Sequence, residues 1–341
     1  MSEPVNADSP ATVRDALAGV TTLCRDVLDQ VERAIVGKRH ALELVLAAVL
    51  AGGHVLLQDS PGLGKTLAAR TLAQTLGLPF RRVQFTPDLL PADITGSFVW
   101  DQRVGEFQFR RGPLFAGMVL ADEINRTPPK TQSALLEAMQ ERQVTVEGTT
   151  FPLETPFHVI ATANPIEYEG TYPLPEAQLD RFLLRVSFDY PGAEDEVRVL
   201  ANRIDRAREE LTVDQVADRA GLLRAQQAVE QVSVDPSLQQ YCVALTRATR
   251  ESSQVLLGAS PRGSLALVLT ARARAVIAGR DYVVPEDVKA VAVAALAHRI
   301  TLRPEVWMRD VSTADIVTSV LAHVPTPRVS STGSGTPTPT R

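Results

Sequence analysis

What this chain has little of restricts its role before any motif is read. It has only two cysteines, Cys24 and Cys242. They cannot make a zinc site by themselves, and nothing in their spacing predicts a disulfide, so two buried, reduced thiols are expected. Uninterrupted apolar runs are short. None approaches the roughly 20 residues that span a bilayer, and "AVAVAALA", residues 290–297, reads as a core helix segment. The first residues, "MSEPVNADSP", have no basic segment followed by an apolar one. A secretory signal is therefore not expected, and the reading is a cytoplasmic protein without membrane insertion. Positive charge is also short: the formal net charge is -5 and the pI near 5.7, which gives no global attraction to phosphate backbones or anionic lipid. The five histidines, His40, His54, His158, His298 and His323, are scattered. No His/Cys/carboxylate cluster suggests a transition metal, and each histidine reads as a surface or packed side chain.

What is present is the balance of a globular protein, 45% hydrophobic and 22% charged over 341 residues, long enough for two domains. Residues 1–14 and 324–341 read as tails, the second rich in Pro, Ser, Thr and Gly. An amphipathic helix is predicted from Asp15 to about Arg33. Strand-length apolar runs then follow at 54–58, 81–85, 117–121, 157–163 and 181–188, several separated by helix-length periodic segments. That alternation predicts an α/β domain over 15–192 with a parallel sheet flanked by helices. Beyond "DYPGAE" (189–194) the texture is helical, with Pro at helix starts in "SPRG" and "VPEDV". An all-helical linker and lid over 193–323 is expected. Two stretches alternate like hairpins, 97–109 and 143–151, the second with Glu147-Gly148 as its turn.

"LLQDSPGLGKT" (56–66) follows a predicted strand and opens a predicted helix, the context a phosphate-binding loop requires. Gly62 and Gly64 allow backbone N–H groups to turn toward β- and γ-phosphates at a positive helix end. Lys65 adds a point charge, and Thr66 a hydroxyl for Mg2+. The cofactor-binding set is Ser60, Pro61, Gly62, Leu63, Gly64, Lys65, Thr66 and Leu67. Asp59 departs from G-x-x-x-x-G-K-[ST], which has Gly at this position. Its carboxylate must point away from the triphosphate, and Asp tolerates the left-handed conformation better than most residues, so the turn remains feasible without Gly.

"GMVLADEINR" ends an apolar strand in two adjacent acids, Asp122 and Glu123. Such a placement is costly unless the acids act at the carboxyl edge of the sheet. Asp122 is expected to hold Mg2+ through water beside Thr66, and Glu123 to polarise the attacking water. "ATANP" puts Asn164 at the same edge, able to orient water. Arg181 enters a strand in "LDRFLL". Arg262 sits in the first turn of a helix, where a cation is disfavoured, so an anionic partner is expected.

Together, "SPGLGKT", "VLADEINRTPPKTQSALLEAMQERQVTV", "IATANPIEYEGTYPLPEAQLDRFLLRV" and "SPRG" resemble the MoxR family of AAA+ ATPases over about Ala34 to Ile300. The resemblance implies Lys65 and Thr66 as Walker A and Asp122 and Glu123 as Walker B. It implies Asn164 as sensor 1, Arg181 as the arginine finger, Arg262 as sensor 2, and Val36 and Gly37 flanking the adenine. It also makes the hairpins the helix-2 and pre-sensor-1 inserts. An arginine finger is usually delivered by a neighbouring subunit, so a homohexameric ring hydrolysing ATP with Mg2+ is implied. So is a protein client, with a partner carrying a von Willebrand factor A domain.

The same engine serves nucleic-acid motors resembling MCM helicases, metal-chelatase motor subunits and nucleotide-dependent switches. From Gln143 to Asp180 there is no Lys or Arg, which argues against a pore that tracks a phosphate backbone. Arg103, Arg110 and Arg111 in the other hairpin are offset by Asp101 and Glu106. The apolar hairpin residues Phe98, Val99, Trp100, Phe107, Phe109 and Phe151 suit either a client or a neighbouring subunit.

Overall fold

The computed structural model describes residues 10–60, 62–164, 170–207, 211–309 and 311–328. The expected tails fall largely outside these residues, as does Pro61 of the phosphate loop. The first helix, α1 (Pro10–Glu32), begins inside the N-terminal segment read as tail. Pro10 is its first residue, where the fixed φ of proline suits a helix and its missing N–H goes unneeded.

The chain continues through α2 (Arg39–Leu50), β1 (Val55–Gln58), α3 (Lys65–Thr75), β2 (Phe80–Gln84), α4 (Pro91–Thr95), β3 (Gly96–Asp101) and β4 (Glu106–Arg111). Next come β5 (Met118–Asp122), α5 (Pro129–Glu141), β6 (Gln143–Val146), β7 (Thr149–Pro152), β8 (His158–Ala163), α6 (Glu176–Leu179) and β9 (Leu184–Val186). The helical part holds α7 (Ala193–Arg206), α8 (Arg219–Glu230), α9 (Pro236–Glu251), β10 (Val255–Leu257), α10 (Pro261–Ile277), α11 (Pro285–Leu296), β11 (Thr301–Leu302) and α12 (Thr313–His323).

Five strands form one parallel sheet in the order β2-β5-β8-β1-β9. Its central strands are buried on both faces, which is why they read as unbroken apolar runs rather than as alternation. Successive residues serve different cores. Val55 and Leu57, Met118 and Leu120, and Ile160 face one cluster, whereas Leu56, Val119, Ala121, Val159 and Ala161 face the other.

The two clusters differ in extent. One is closed by α5 with Leu135, Leu136 and Met139. The other runs from the sheet through Val27, Leu42 and Val45 on α1 and α2 into Leu245, Val276 and Val291 of the lid. The lid is therefore not a separately cored body. It shares its interior with the helices over the sheet.

The helix starts follow local chemistry. Ser260 caps α10, accepting from the Arg262 N–H at 3.2 Å with Pro261 next in sequence, and Asp235 does the same before Pro236 in α9. The lid is helical as expected, with one addition: β10 and β11 pair antiparallel through Val255 and Leu302. Strands of three and two residues are too short to leave a periodic signal.

Both predicted hairpins form. β6 and β7 turn through Glu147 and Gly148, with φ of 49° and 79°, the positive values a two-residue turn demands. The aromatic residues divide into two groups. Phe109 stacks on Phe151 of the other hairpin at 3.9 Å between centroids, and Phe98 lies 5.5 Å from Phe109. These inner rings pack the hairpins on each other, an option that reading each hairpin separately did not offer. Trp100 and Phe107 pair at 5.1 Å and remain 51% and 67% exposed. Arg111 lies over the Phe115 ring at 5.3 Å, so it is committed to packing.

Cys24 and Cys242 are buried, unpaired thiols, and burial pushes both up to about 12.

Candidate active site

β1 ends at Gln58, and the chain turns through Gly62 and Gly64, both in the left-handed region with φ of 85° and 82°. Side chains there would be strained, so glycine is needed at these two positions. Lys65 opens α3 and folds its ammonium back on the loop, donating to the carbonyls of Asp59 at 2.7 Å and Ser60 at 3.2 Å. Ser60, Leu63 and Thr66 are half-buried, and Leu67 is exposed. Ile35, just before Val36, packs so close that a Cβ on Gly64 would lie 3.3 Å from its Cδ1. Gly37 has a φ of 72°, and a side chain there would collide with the Asp195 carboxylate. Lys38 donates to the Asp189 carbonyl at 3.0 Å. The loop, the 35–38 segment and the chain entering α7 thus meet in one place.

Asp59 points away from the loop, as the repulsion argument requires, but into the protein rather than to solvent. It is buried and accepts from the Phe188 N–H at 2.6 Å, the Ser187 hydroxyl at 2.5 Å and the Asp189 N–H at 3.3 Å. Charge-assisted bonds to two backbone N–H groups offset its desolvation. Its own backbone does not take a positive φ, so the left-handed tolerance of Asp is not used. The carboxylate fastens the first residue of the loop to the chain leaving β9.

At the end of β5 the two acids are held by neighbouring strands. Asp122 is buried. Its Oδ1 accepts from the Thr162 hydroxyl at 2.6 Å, and its Oδ2 from Arg82 Nη2 at 2.7 Å and Nε at 3.0 Å. Glu123 adopts φ 57° and ψ 49°, and its N–H donates to the same Thr162 oxygen at 2.8 Å. A left-handed Glu is strained, and such residues persist where the surroundings over-determine them. Here Gln84 donates to Glu123 Oε2 at 2.8 Å, and Arg126 Nε lies 3.1 Å from the same oxygen. Arg82, Gln84 and Thr162 were not legible as site residues. They become so only through the register that sets Gln84 opposite Asp122 and β8 beside β5. Asn164 follows β8 directly at this edge, and its carbonyl accepts from Asn125 at 3.4 Å.

Hard oxygen donors suit magnesium, which keeps several waters and takes one or two carboxylates plus substrate phosphates rather than a full protein cage. The Thr66 hydroxyl and the Asp122 carboxylate fit that description. α3 packs against β5, and Asp122 Oδ1, which accepts a single bond from Thr162, retains a lone pair, whereas Oδ2 is taken up by two bonds from Arg82. Among the described residues no cluster of three or more His, Cys, Asp or Glu offers an alternative cage.

The two arginines lie elsewhere. β9 runs parallel to β1 with Leu184 opposite Val55, and the Leu183 N–H donates to the His54 carbonyl at 2.8 Å. Arg181 therefore sits at the amino edge of the sheet, while Asp59–Thr66, Asp122 and Asn164 sit at the carboxyl edge. Its Nη1 donates to the Leu136 carbonyl at 2.6 Å. Arg262 joins it, for the expected anionic partner is Asp180, with Arg262 Nη1 3.8 Å from Oδ2. Asp180 also accepts from Ser260 at 3.0 Å and from the buried Arg299 at 2.7 Å. Arg299 donates further to the carbonyls of Phe182, Leu183 and Ala295. Segment 180–183 and the start of α10 are thus tied to each other by these bonds. The structure brings Lys65, Thr66, Asp122, Glu123 and Asn164 to one edge and Arg181 and Arg262 to the other.

Comparison with known proteins agrees with this architecture. The ATPase family associated with various cellular activities (AAA) matches residues 54–184, and the AAA lid domain matches 247–320. Chaperone MoxR1 of Mycobacterium tuberculosis is 42% identical, covering 96% of this chain and 88% of that protein. YeaC of Bacillus subtilis is 47% identical, covering 88% and 93%. The crystal structure of an ATPase from Cytophaga hutchinsonii superposes with a TM-score of 0.86 at 40% identity, covering 93% of this chain and 99% of that one.

Proposed function

The chain belongs to the MoxR family of AAA+ ATPases, and from that premise we propose that it hydrolyses ATP in a homo-oligomeric ring, as a hexamer, to remodel a protein client. Lys65 and the amides around Gly62 and Gly64 hold the β- and γ-phosphates. Thr66, and Asp122 through water, would hold magnesium, which would supply charge neutralisation on the phosphate oxygens. Glu123 accepts a proton from the attacking water, and Asn164 orients that water. Val36 and Gly37 line the adenine side. Arg181 and Arg262 come from the neighbouring copy, where a guanidinium stabilises charge on the transferring phosphoryl group.

The observation that carries this reading is the separation of the candidate residues onto opposite edges of one sheet, a division that a second copy would close. The exposed Trp100 and Phe107 at the hairpin tip support a protein client, as does the name of the relative Chaperone MoxR1. A von Willebrand factor A domain partner rests on the family resemblance alone. Among the described residues no helix is long and apolar enough to cross a membrane.

Complementation tests the reading. A Lys65→Ala chain keeps the arginines and lacks the loop charge; an Arg181→Ala chain keeps the loop and binds ATP in calorimetry, with turnover lower by about 10³–10⁵. Mixed in equal amounts, two inactive preparations are expected to regain ATP turnover. A mixture as inactive as its components would overturn the shared site.

A further inference from the structure

α7 leaves the sheet domain at the point where the phosphate loop, Gly37 and Asp189 meet, and not one of its residues is buried. Yet it is amphipathic. Val197, Leu200 and Ile204 fall at i, i+3 and i+7 on one face, and they are 64%, 63% and 75% exposed. Tyr190, just before the helix, is exposed as well. A helix of 14 residues is marginal alone in water, and an apolar stripe of this kind marks a contact.

A second exposed apolar patch lies in the lid. Leu256 and Leu257 on β10 and Leu265 on α10 all face solvent. Leu265 is one turn beyond Arg262 on the same helix face, so a surface that receives Arg262 also receives Leu265. The charges complement each other at one end. The first turn of α7 carries Glu194, Asp195 and Glu196, its last turn Arg203 and Arg206, whereas the lid exposes Arg250, Arg262 and Arg303 on the elements that carry its apolar residues or on neighbouring ones. One patch adjoins the nucleotide edge of its chain. The other adjoins the arginine edge.

We propose that the apolar face of α7 is the docking surface for the lid of a second copy of this chain, with Val197, Leu200 and Ile204 seated against Leu256, Leu257 and Leu265 and Arg262 carried alongside. The contact is heterologous, so each copy uses both patches and repetition generates a ring. The proposal rests on the reading of a site shared between copies, and it adds the surface that brings the halves together.

Cross-linking tests it without requiring turnover. Ile204→Cys and Leu257→Cys chains are prepared separately, mixed with ATP and Mg2+, and treated with a short bismaleimide. The native Cys24 and Cys242 are buried, with thiols pushed up to about 12, and serve as an unreactive background. The expected product is a covalent dimer in the mixture and none from either variant alone. Introducing Leu200→Glu into the Ile204→Cys chain should reduce that dimer at least about tenfold. Monomer alone in the mixture, or Ile204→Cys cross-linking to itself, would overturn the docking. If the mixture stays monomeric while the wild type hydrolyses ATP, the ATPase reading survives and the α7 surface falls. Dimer from a protein without turnover would leave the surface in place and remove the activity.

Discussion

The carboxyl and amino edges of the central sheet hold their charged side chains in different ways. At the carboxyl edge, Asp122 and Glu123 are fixed by residues of the flanking strands, Thr162 from β8 and Arg82 and Gln84 from β2. At the amino edge, Arg262 is paired with Asp180, which Ser260 and Arg299 of the lid also hold, and the next residue, Arg181, donates to the Leu136 carbonyl of α5. The difference shows why the lid is cored together with α1 and α2 instead of swinging freely. On the reading proposed above, its task is to hold two guanidiniums at one spacing for another copy. The first edge positions chemistry within a chain, and the second exports it.

Loosening the amino edge should have the largest effect. Asp180→Ala removes the ion-pair partner of Arg299, whose side chain is only 3% exposed. Breaking a buried pair typically costs about 3–5 kcal/mol; the four backbone carbonyls that Arg299 retains place the expected loss at about 3 kcal/mol. Denaturant unfolding would measure it. Turnover should fall as well while ATP affinity holds, and unchanged stability would show that the lid is not anchored here.

The carboxyl edge offers the complementary break. Thr162→Val keeps the shape and removes the one hydroxyl that bonds both Asp122 and the Glu123 backbone. Loss of a group that orients catalytic ligands is worth about 10–100-fold. ATP turnover should drop by that factor, with assembly retained and activity recovered in Thr162→Ser. Equal loss in the valine and serine variants would assign Thr162 a packing role alone.

This contrast also explains what was legible in the sequence. The phosphate loop, the adjacent acids of β5 and both hairpins are local patterns, and each appears at the predicted place. The strand runs were legible because both faces of the sheet are buried. Register was not: nothing in "FRRVQF" shows that Arg82 would reach Asp122, since that depends on which strand lies beside which and at what offset. Asp59 looked like a liability because its partners, Ser187 and Phe188, are more than 120 residues away. The opposite-edge placement of Arg181 follows from parallel pairing of β1 and β9, a topological fact that no motif states. The exposure of α7 was equally hidden, because an amphipathic period promises a buried face without saying on which molecule.

The smallest effect separates the edges by pH. Three imidazoles are buried along the amino edge: His54 before β1, His158 opening β8, and His298 against the Phe182 carbonyl. Burial pushes His54 down to about 3, with the neighbouring His158 adding to the shift, and pushes His158 down to about 4; burial also holds His298 well below the usual value. For His54 the neutral ring uses both nitrogens, Nδ1 accepting from the Val159 N–H at 2.9 Å and Nε2 facing the Met139 carbonyl at 3.1 Å. A second proton would point at a donor. In the unfolded chain these rings take up protons below about 6.5. Between that value and their folded values the unfolded state therefore binds more protons, and stability falls as pH falls. From pH 7.5 to 6.5 the three together should remove about 1 kcal/mol, with a steeper decline in more acidic solution. Denaturant midpoints across this range would measure it, and His54→Gln should flatten the slope. A midpoint that rises as pH is lowered would mean that these three imidazoles are not held neutral in the folded protein.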